Sequence, residues 1–158
     1  MICSVLTGQF IRLKFKERTA LLERIIYMIN LISIQIRYKN TDLYELLNCL
    51  ISDTYLNKLR FLKTCRNYIQ SDYSFDRAWE QSIQKSVVSL DKTDIELLNT
   101  FGQNLGKSDL GGQLNNCELH LESFNRQLNN SKDNEIRHGN FYFRLCVITG
   151  VFIVIILL

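Results

Sequence analysis

Apolar residues recur along this chain at spacings of three and four, the period at which an α-helix buries one face. The first stripe predicts a helix over about residues 10–37 and consists of Leu22, Ile25, Ile29, Ile32 and Ile36. A second helix is predicted after a cap at Thr41 or Asp42, with an apolar face of Leu43, Leu46, Leu47 and Leu50. No stretch alternates convincingly between apolar and polar residues, so we predict no sheet.

Four further helices are predicted by the same period and by local helix-start signals. The third covers about residues 54–70, and the fourth begins at Phe75 after the break at "SDYS". A capping box at Thr93–Glu96 opens a fifth helix, and the sixth carries a sustained apolar stripe from Leu110 to Leu128. The expected fold is all-α, an antiparallel bundle of about six helices followed by a C-terminal transmembrane helix.

The strongest single feature is the run "FYFRLCVITGVFIVIILL" at residues 141–158, which carries no charge after Arg144. Eighteen helical residues span about 27 Å, close to the hydrocarbon thickness of a bilayer. A buried core helix is the alternative, but it would need protein on every side, and this chain offers little to cover it. The predicted anchor comprises Tyr142, Phe143, Arg144, Leu145, Val147, Ile148, Val151, Phe152, Ile153, Val154, Ile155, Ile156, Leu157 and Leu158.

Basic residues predict the orientation of this anchor. Arg137 and Arg144 put positive charge before the span, which favours a cytoplasmic domain with the last residues translocated. The N-terminal residues 1–11 are apolar but cover only about half a span. Four basic residues follow: Arg12, Lys14, Lys16 and Arg18. They mark either the cytoplasmic side of a membrane contact or a solvated charge cluster. The predicted division is therefore 1–11, a helical domain at 12–138, and the anchor at 141–158.

Composition narrows the class of protein further. The 158 residues amount to one domain, and a formal net charge of +3 is too small to argue for nucleic acid as a partner. The absence of proline favours long, uninterrupted helices. Five cysteines at scattered spacing form no recognisable disulfide framework, which favours a reducing compartment.

The stretch "FGQNLGKSD" at residues 101–109 has the composition of a phosphate-binding loop but not its spacing. Only three residues separate Gly102 from Gly106, and a predicted helix precedes them where a P-loop needs a strand. A turn between helices fits better, with Gly106 as a left-handed C-cap and Ser108 or Asp109 as the next N-cap. The missing side chain of Gly102 would let a neighbouring helix approach closely.

The other candidate sites show little sign of metal binding or catalysis. Cys117 and His120 have a spacing that suits two zinc ligands, but no second pair accompanies them. We interpret Cys117 as a core residue and His120 as a surface residue. The carboxylates are dispersed and show no arrangement suited to acid–base catalysis. We therefore predict no enzyme activity, no metal and no cofactor.

Three short motifs, in one order along nearly the whole chain, resemble the stage III sporulation protein AB family. The first is a corner of Leu105, Gly106, Lys107, Ser108 and Asp109, with Gln113 following. The second is the segment of Tyr38, Thr41, Leu43 and Glu45, and the third is the helix of Ala78, Trp79 and Glu80. The sequence departs from the family at Asp42 and Tyr44, where prolines are common.

This resemblance implies a role that the residues alone do not give. Such proteins are non-catalytic parts of the assembly that links mother cell and forespore during endospore formation, and their helical domain is similar to that of the type II secretion platform protein. The implied location is the outer forespore membrane on the mother-cell side, with the main domain cytoplasmic. The implied partners are other channel proteins, including a cytoplasmic ATPase, and self-association stays open.

Two other interpretations of the function stay open at this stage. One is a tail-anchored helical adaptor in another membrane complex, and the other is a nucleotide-binding enzyme that uses the Gly106 corner. If the chain is a scaffold, we expect a partner to dock on the end of the bundle away from the membrane. Lys107 and Asp109 are the exposed candidates there.

Overall fold

The computed structural model describes the backbone of residues 2–39, 42–87 and 89–157, and the side chains of residues 13, 15–38, 42–87 and 89–135. Within these residues every regular element is helical, which confirms the all-α prediction. The six α-helices are α1 (Ile2–Lys39), α2 (Leu43–Ser52), α3 (Arg60–Gln70), α4 (Phe75–Ser86), α5 (Lys92–Asn104) and α6 (Leu110–Leu157).

The two long helices, α1 and α6, form an antiparallel pair. The hydroxyls of Thr19 and Ser131 lie 2.9 Å apart. Leu43, just after α1, lies against Gly106, just before α6. The far end of α1 is therefore close to the beginning of α6. The shorter helices lie between them in the chain, with α3 packed on α4, α4 on α5, and α5 on α6.

The predicted apolar stripe of α1 forms much of the core. Leu22, Ile25, Ile29 and Ile32 are fully buried, as is Met28. The α1 stripe packs in the core with large side chains from the shorter helices and α6. These side chains are Phe61, Trp79, Phe101 and Phe124. Burying such a face is what stabilises helices of this length in water, because intrinsic helix propensity alone is a weak force.

Three predicted helix starts were wrong. Helix α1 begins at Ile2 instead of about residue 10. The third helix begins at Arg60 instead of residue 54, because Tyr55–Lys58 forms a separate 3₁₀ turn. Helix α5 begins at Lys92, and its capping box consists of Asp91 and Asp94 instead of Thr93 and Glu96. The backbone N–H of Asp91 donates to the Asp94 carboxylate at 3.1 Å. A carboxylate here also interacts favourably with the positive end of the helix dipole.

Helix α6 runs as one element of 48 residues from the bundle into the predicted anchor. The side chains of residues 136–158 lie outside the described residues, as do those of Arg12 and Lys14. In the described part, one stretch, Phe15–Tyr38 of α1, is long and apolar enough to cross a membrane by length and composition. The same stretch supplies the fully buried core residues of α1.

Candidate functional site: the corner between α5 and α6 and the opposite end of the bundle

The corner between α5 and α6 is built around a glycine in a left-handed conformation. Gly106 has a φ of +76°, as predicted for a C-cap. Its N–H donates to the side-chain oxygen of Gln113 at 3.1 Å. A Cβ added here would lie 3.0 Å from Leu43, so space and backbone conformation both favour glycine.

Gln113 holds the corner together from inside. Its side chain is buried, and its amide group donates to the carbonyl of Asn104 at 3.3 Å and to the hydroxyl of Ser108 at 3.1 Å. Leu105 is buried beside it. The structure therefore brings together the predicted corner residues, and it shows that the glutamine is the centre of their hydrogen bonds.

Asp109 is the N-cap of α6. Its carboxylate accepts a hydrogen bond from the N–H of Gly112 at 3.0 Å. A Cβ on Gly112 would lie 2.7 Å from Ser108, so this glycine allows the turn to close tightly on the helix start. Of the two predicted caps, Asp109 is the correct one, since the hydroxyl of Ser108 is used by Gln113.

The corner does not present a phosphate-binding loop. The N–H groups of Gly106 and Gly112 are used by side chains of the corner itself. The N–H of Lys107 donates to the carbonyl of Asn104 at 3.4 Å. The ammonium of Lys107 is 2.8 Å from the carboxylate of Asp76 on α4, and both side chains are about half exposed. A phosphate cradle needs free backbone amides and a free cation, and here these groups bind within the chain.

Gly102 on α5 and Trp79 on α4 form a close helix contact. The indole N–H of Trp79 donates to the carbonyl of Leu98 at 2.9 Å. A Cβ on Gly102 would lie 2.2 Å from the same indole nitrogen, so the predicted close approach at Gly102 is confirmed. Phe61 and Phe75 pack on the Trp79 ring, with centroids 5.2 and 5.6 Å away. Trp79 of the third motif is therefore a core residue.

The Cys117–His120 pair lies in the core. Cys117 is buried as predicted, but His120 is also buried, and its description as a surface residue was wrong. Its ring packs against Phe101, and its Nδ1 lies 2.9 Å from the carbonyl of Asn116, which makes Nδ1 the donor. Among the described residues no three His, Cys, Asp or Glu side chains are grouped to hold a metal ion. Burial raises the pKa of the Cys65 thiol to about 12 and that of Cys117 to about 11, which disfavours the reactive thiolate.

The opposite end of the bundle holds an ion-pair cluster that sequence reasoning missed. Arg18 is 7% exposed and Asp94 is fully buried. The Arg18 guanidinium donates to both carboxylate oxygens of Asp94, at 2.8 and 3.1 Å. It also contacts Asp91 at 2.9 Å and donates to the Gln127 side chain at 3.2 Å. One side chain of α1 is thus bonded to both α5 and α6.

The prediction of Arg18 as a membrane-facing or solvated charge needs correction, because its guanidinium is buried in this cluster. Burial alone would lower the pKa of Arg18, but the hydrogen bond and charge of Asp94, with the charge of Asp91, raise it above the ordinary value. Arg18 therefore stays charged. The sequence does contain a signal, since Arg18 falls on the same helical face as Leu22, Ile25 and Ile29. Lys16 is exposed, in agreement with either interpretation of the basic group.

Comparisons with known proteins agree with this architecture. A solved structure described as stage III sporulation protein AB (SpoIIIAB) has the same fold, with a TM-score of 0.62 and 21% sequence identity over 77% of this chain and 98% of that chain. Among curated proteins none matches the chain. The sequence profile described as stage III sporulation protein AB matches residues 1–158. The match covers the whole chain, and the chain therefore belongs to the stage III sporulation protein AB family.

Proposed function

We propose that this chain is a non-catalytic scaffold, anchored in the outer forespore membrane, of the complex that links mother cell and forespore. The observation that carries the proposal is the continuity of α6, which is one helix from the bundle into the apolar run at residues 141–158. A rigid helix transmits the position of its membrane-embedded part to the domain that it carries. Membership of a sporulation family supplies the biological setting.

The arrangement of the two ends supports this orientation. Because α1 and α6 are antiparallel, the beginning of α1 and the end of α6 lie at one end of the molecule, which the proposal places at the membrane. The corner at Gly106 and the turn at Asp72–Ser74 lie at the other end, as the ion pair between Lys107 and Asp76 shows. A cytoplasmic partner reaches that distal end or the flanks of the bundle.

The proposal of a non-catalytic role rests on how the polar side chains are used. In the part of the chain whose side chains are described, the most buried charges, Arg18 and Asp94, bind each other, and Gln113 binds the corner. The two buried thiols are held protonated. The proposed partners are the membrane and other channel proteins, including a cytoplasmic ATPase. Neither nucleic acid nor a cofactor belongs to this proposal.

Membrane fractionation of sporulating cells tests the anchor. The full chain should resist extraction with high salt and alkaline carbonate, and a variant that lacks residues 141–158 should move to the soluble fraction. A control variant with Arg12, Lys14 and Lys16 changed to Gln should stay in the membrane, because a helix that spans the bilayer does not depend on these charges. If the deleted variant still pelleted, the anchor would lie elsewhere, with residues 1–11 as the next candidate.

A further inference from the structure

A groove with an apolar floor and a basic rim lies on the flank of the bundle, between α1, the 3₁₀ turn and the link from α4 to α5. Its volume is about 470 Å³, within the range of ligand-binding clefts. The side chains on its floor are apolar and mostly buried, and they are Leu21, Ile25, Leu59, Phe61, Leu90 and Leu98. The groove therefore offers a surface on which bulky apolar side chains can be buried.

Three cations and one anion line the rim. Arg24 is held in place by the carbonyls of Ala20 and Tyr55, at 2.7 and 3.2 Å, and by the ring of Tyr55. Lys58 and Arg60 are exposed, and neither forms an ion pair with another described residue. The single acidic residue, Glu17, accepts a hydrogen bond from Ser89 at 3.0 Å. The rim thus carries uncompensated positive charge.

A second hollow continues the groove along α3 and α4. The two share Arg60 and Ser86, and the second adds Lys85, whose ammonium lies 5.9 Å from the centre of the Tyr68 ring. The basic side chains therefore follow an extended path. Such a path matches a segment of polypeptide better than it matches a small molecule.

We propose that this groove docks an acidic, amphipathic segment of a protein partner. Its apolar side chains would lie on the floor near Phe61 and Leu98, and its carboxylates would pair with Lys58, Arg60 and Arg24. This inference deepens the proposed scaffold function and rests on it. Charge complementarity of this kind chiefly sets the partner's identity and its association rate, while burial of apolar side chains supplies affinity.

The position of the groove favours a protein over an anionic lipid. Glu23 on α1 is paired with Lys132 on α6, and Thr19 is close to Ser131, so this part of α1 lies beside residues 131–132 of α6. Ser131 precedes residue 141 by ten positions, which is about 15 Å along a helix. Lipid headgroups at the predicted membrane would lie beyond this level. Lipid headgroups are also polar and would not bury the apolar side chains of the groove floor.

Photo-crosslinking in sporulating cells tests the proposal directly. A benzophenone amino acid is placed at position 58 of the full chain, and at position 63 as a control, since Lys63 is exposed on α3 and does not line the groove. We expect position 58 to give a protein adduct whose crosslinked peptide is net acidic and contains bulky apolar residues. A lipid adduct, no adduct, or the same adduct from position 63 would overturn the proposal.

The crosslinked peptide, made synthetically with a fluorescein label, is then titrated against the full chain in neutral-lipid nanodiscs. Lys58→Glu with Arg60→Glu should weaken binding by about tenfold or more, because two attractions become repulsions. The control variant, Lys63→Glu with Arg77→Glu, has the same change of charge and should bind as the unaltered chain does. Equal weakening in both variants, or in neither, would contradict the assignment.

Fractionation separates this proposal from the scaffold proposal. The Lys58→Glu, Arg60→Glu variant should remain in the membrane fraction while it loses the peptide. Suppose that the Lys58→Glu, Arg60→Glu variant binds the peptide normally and that deletion of residues 141–158 still releases the chain from the membrane. The groove proposal is then wrong, and the proposal of an anchored scaffold stands. If the deletion has no effect on membrane association, residues 141–158 are not the anchor, and this failure does not involve the groove.

Discussion

The two ends of the bundle are held together in different ways. At the corner end, Gly106 and Gln113 are joined by a hydrogen bond between residues seven positions apart, and the ion pair between Lys107 and Asp76 is about half exposed. At the opposite end, Arg18 is bonded to Asp94 across 76 positions and to Gln127 across 109. The hydrogen bonds of Gln113 are local and the Lys107–Asp76 pair is partly solvated, whereas the Arg18–Asp94 pair is buried and long-range.

This contrast predicts unequal sensitivity to substitution. Removing one member of a buried ion pair leaves the other without a partner in a medium where charge is costly. A partly exposed ion pair loses little when it is broken, because water replaces it. The conformation of the corner depends instead on backbone geometry and close packing at its glycines.

Asp94→Ala should cause the largest loss, about 3–5 kcal/mol of unfolding free energy, because it leaves the buried Arg18 charge poorly compensated. Unfolding of the full chain in detergent can be followed by the fluorescence of Trp79, the single tryptophan. The double variant Arg18→Met, Asp94→Leu should recover most of the loss, since apolar side chains often replace a buried pair without cost. A loss below about 1 kcal/mol for Asp94→Ala would show that the cluster contributes little.

Gly102→Ala should cost about 3 kcal/mol, at the upper end of the usual cost of overpacking a core. The added Cβ would lie 2.2 Å from the Trp79 indole nitrogen, and a rigid ring cannot move without loss of its hydrogen bond to Leu98. Gly111→Ala is the matched control, because its nearest neighbour would be 3.8 Å away and alanine favours a helix. The unfolding free energy of both variants is measured in the same detergent assay as for Asp94→Ala. Equal effects at both glycines would contradict the packing argument.

Gly106→Val should cost about 2 kcal/mol, because a β-branched residue resists a φ of +76°. Gly106→Asn should cost clearly less, since asparagine adopts left-handed conformations more readily. Urea titration of the two variants measures the difference in unfolding free energy. If valine and asparagine were equally harmful, contact with Leu43 rather than backbone strain would be the cause.

Lys107→Ala should have the smallest effect, below about 1 kcal/mol, because its ion pair with Asp76 is about half exposed. It should leave nucleotide affinity unchanged as well, because the N–H groups of Gly106 and Gly112 and the ammonium of Lys107 already bind within the chain. Calorimetric titration with ATP provides that check. A submillimolar affinity that disappeared in Lys107→Ala would restore the interpretation of the corner as a phosphate-binding loop.

The sequence was sufficient for features that depend on near neighbours. Helical periodicity identified the buried face of α1, and glycine chemistry identified the C-cap at Gly106 and the close approach at Gly102. The buried face and the C-cap follow from rules that act over one or two helical turns, and the prediction at Gly102 follows from its missing side chain. The capping box of α5 was misplaced by two residues, because two overlapping pairs of polar residues satisfied the same spacing rule.

The missed features depend on the tertiary fold. Arg18 interrupts an apolar stripe, but nothing in its neighbourhood indicates that Asp94 and Gln127 will meet it. His120 was predicted to lie at the surface. It is buried because Phe101 on another helix packs against it, and the sequence does not show that contact. The basic groove combines α1, the 3₁₀ turn and the α4–α5 link, and no local pattern predicts their meeting.

An anchor exchange in sporulating cells tests the central proposal, a membrane-held scaffold, most directly. Residues 141–158 are replaced by an unrelated single-span helix of equal length and the same orientation, and spore formation is counted beside the full chain and the deletion. We expect the exchanged chain to form spores at nearly the normal frequency and the deletion to fail, because the anchor only has to hold the bundle at the membrane. Normal spore formation by the deletion would contradict the proposal.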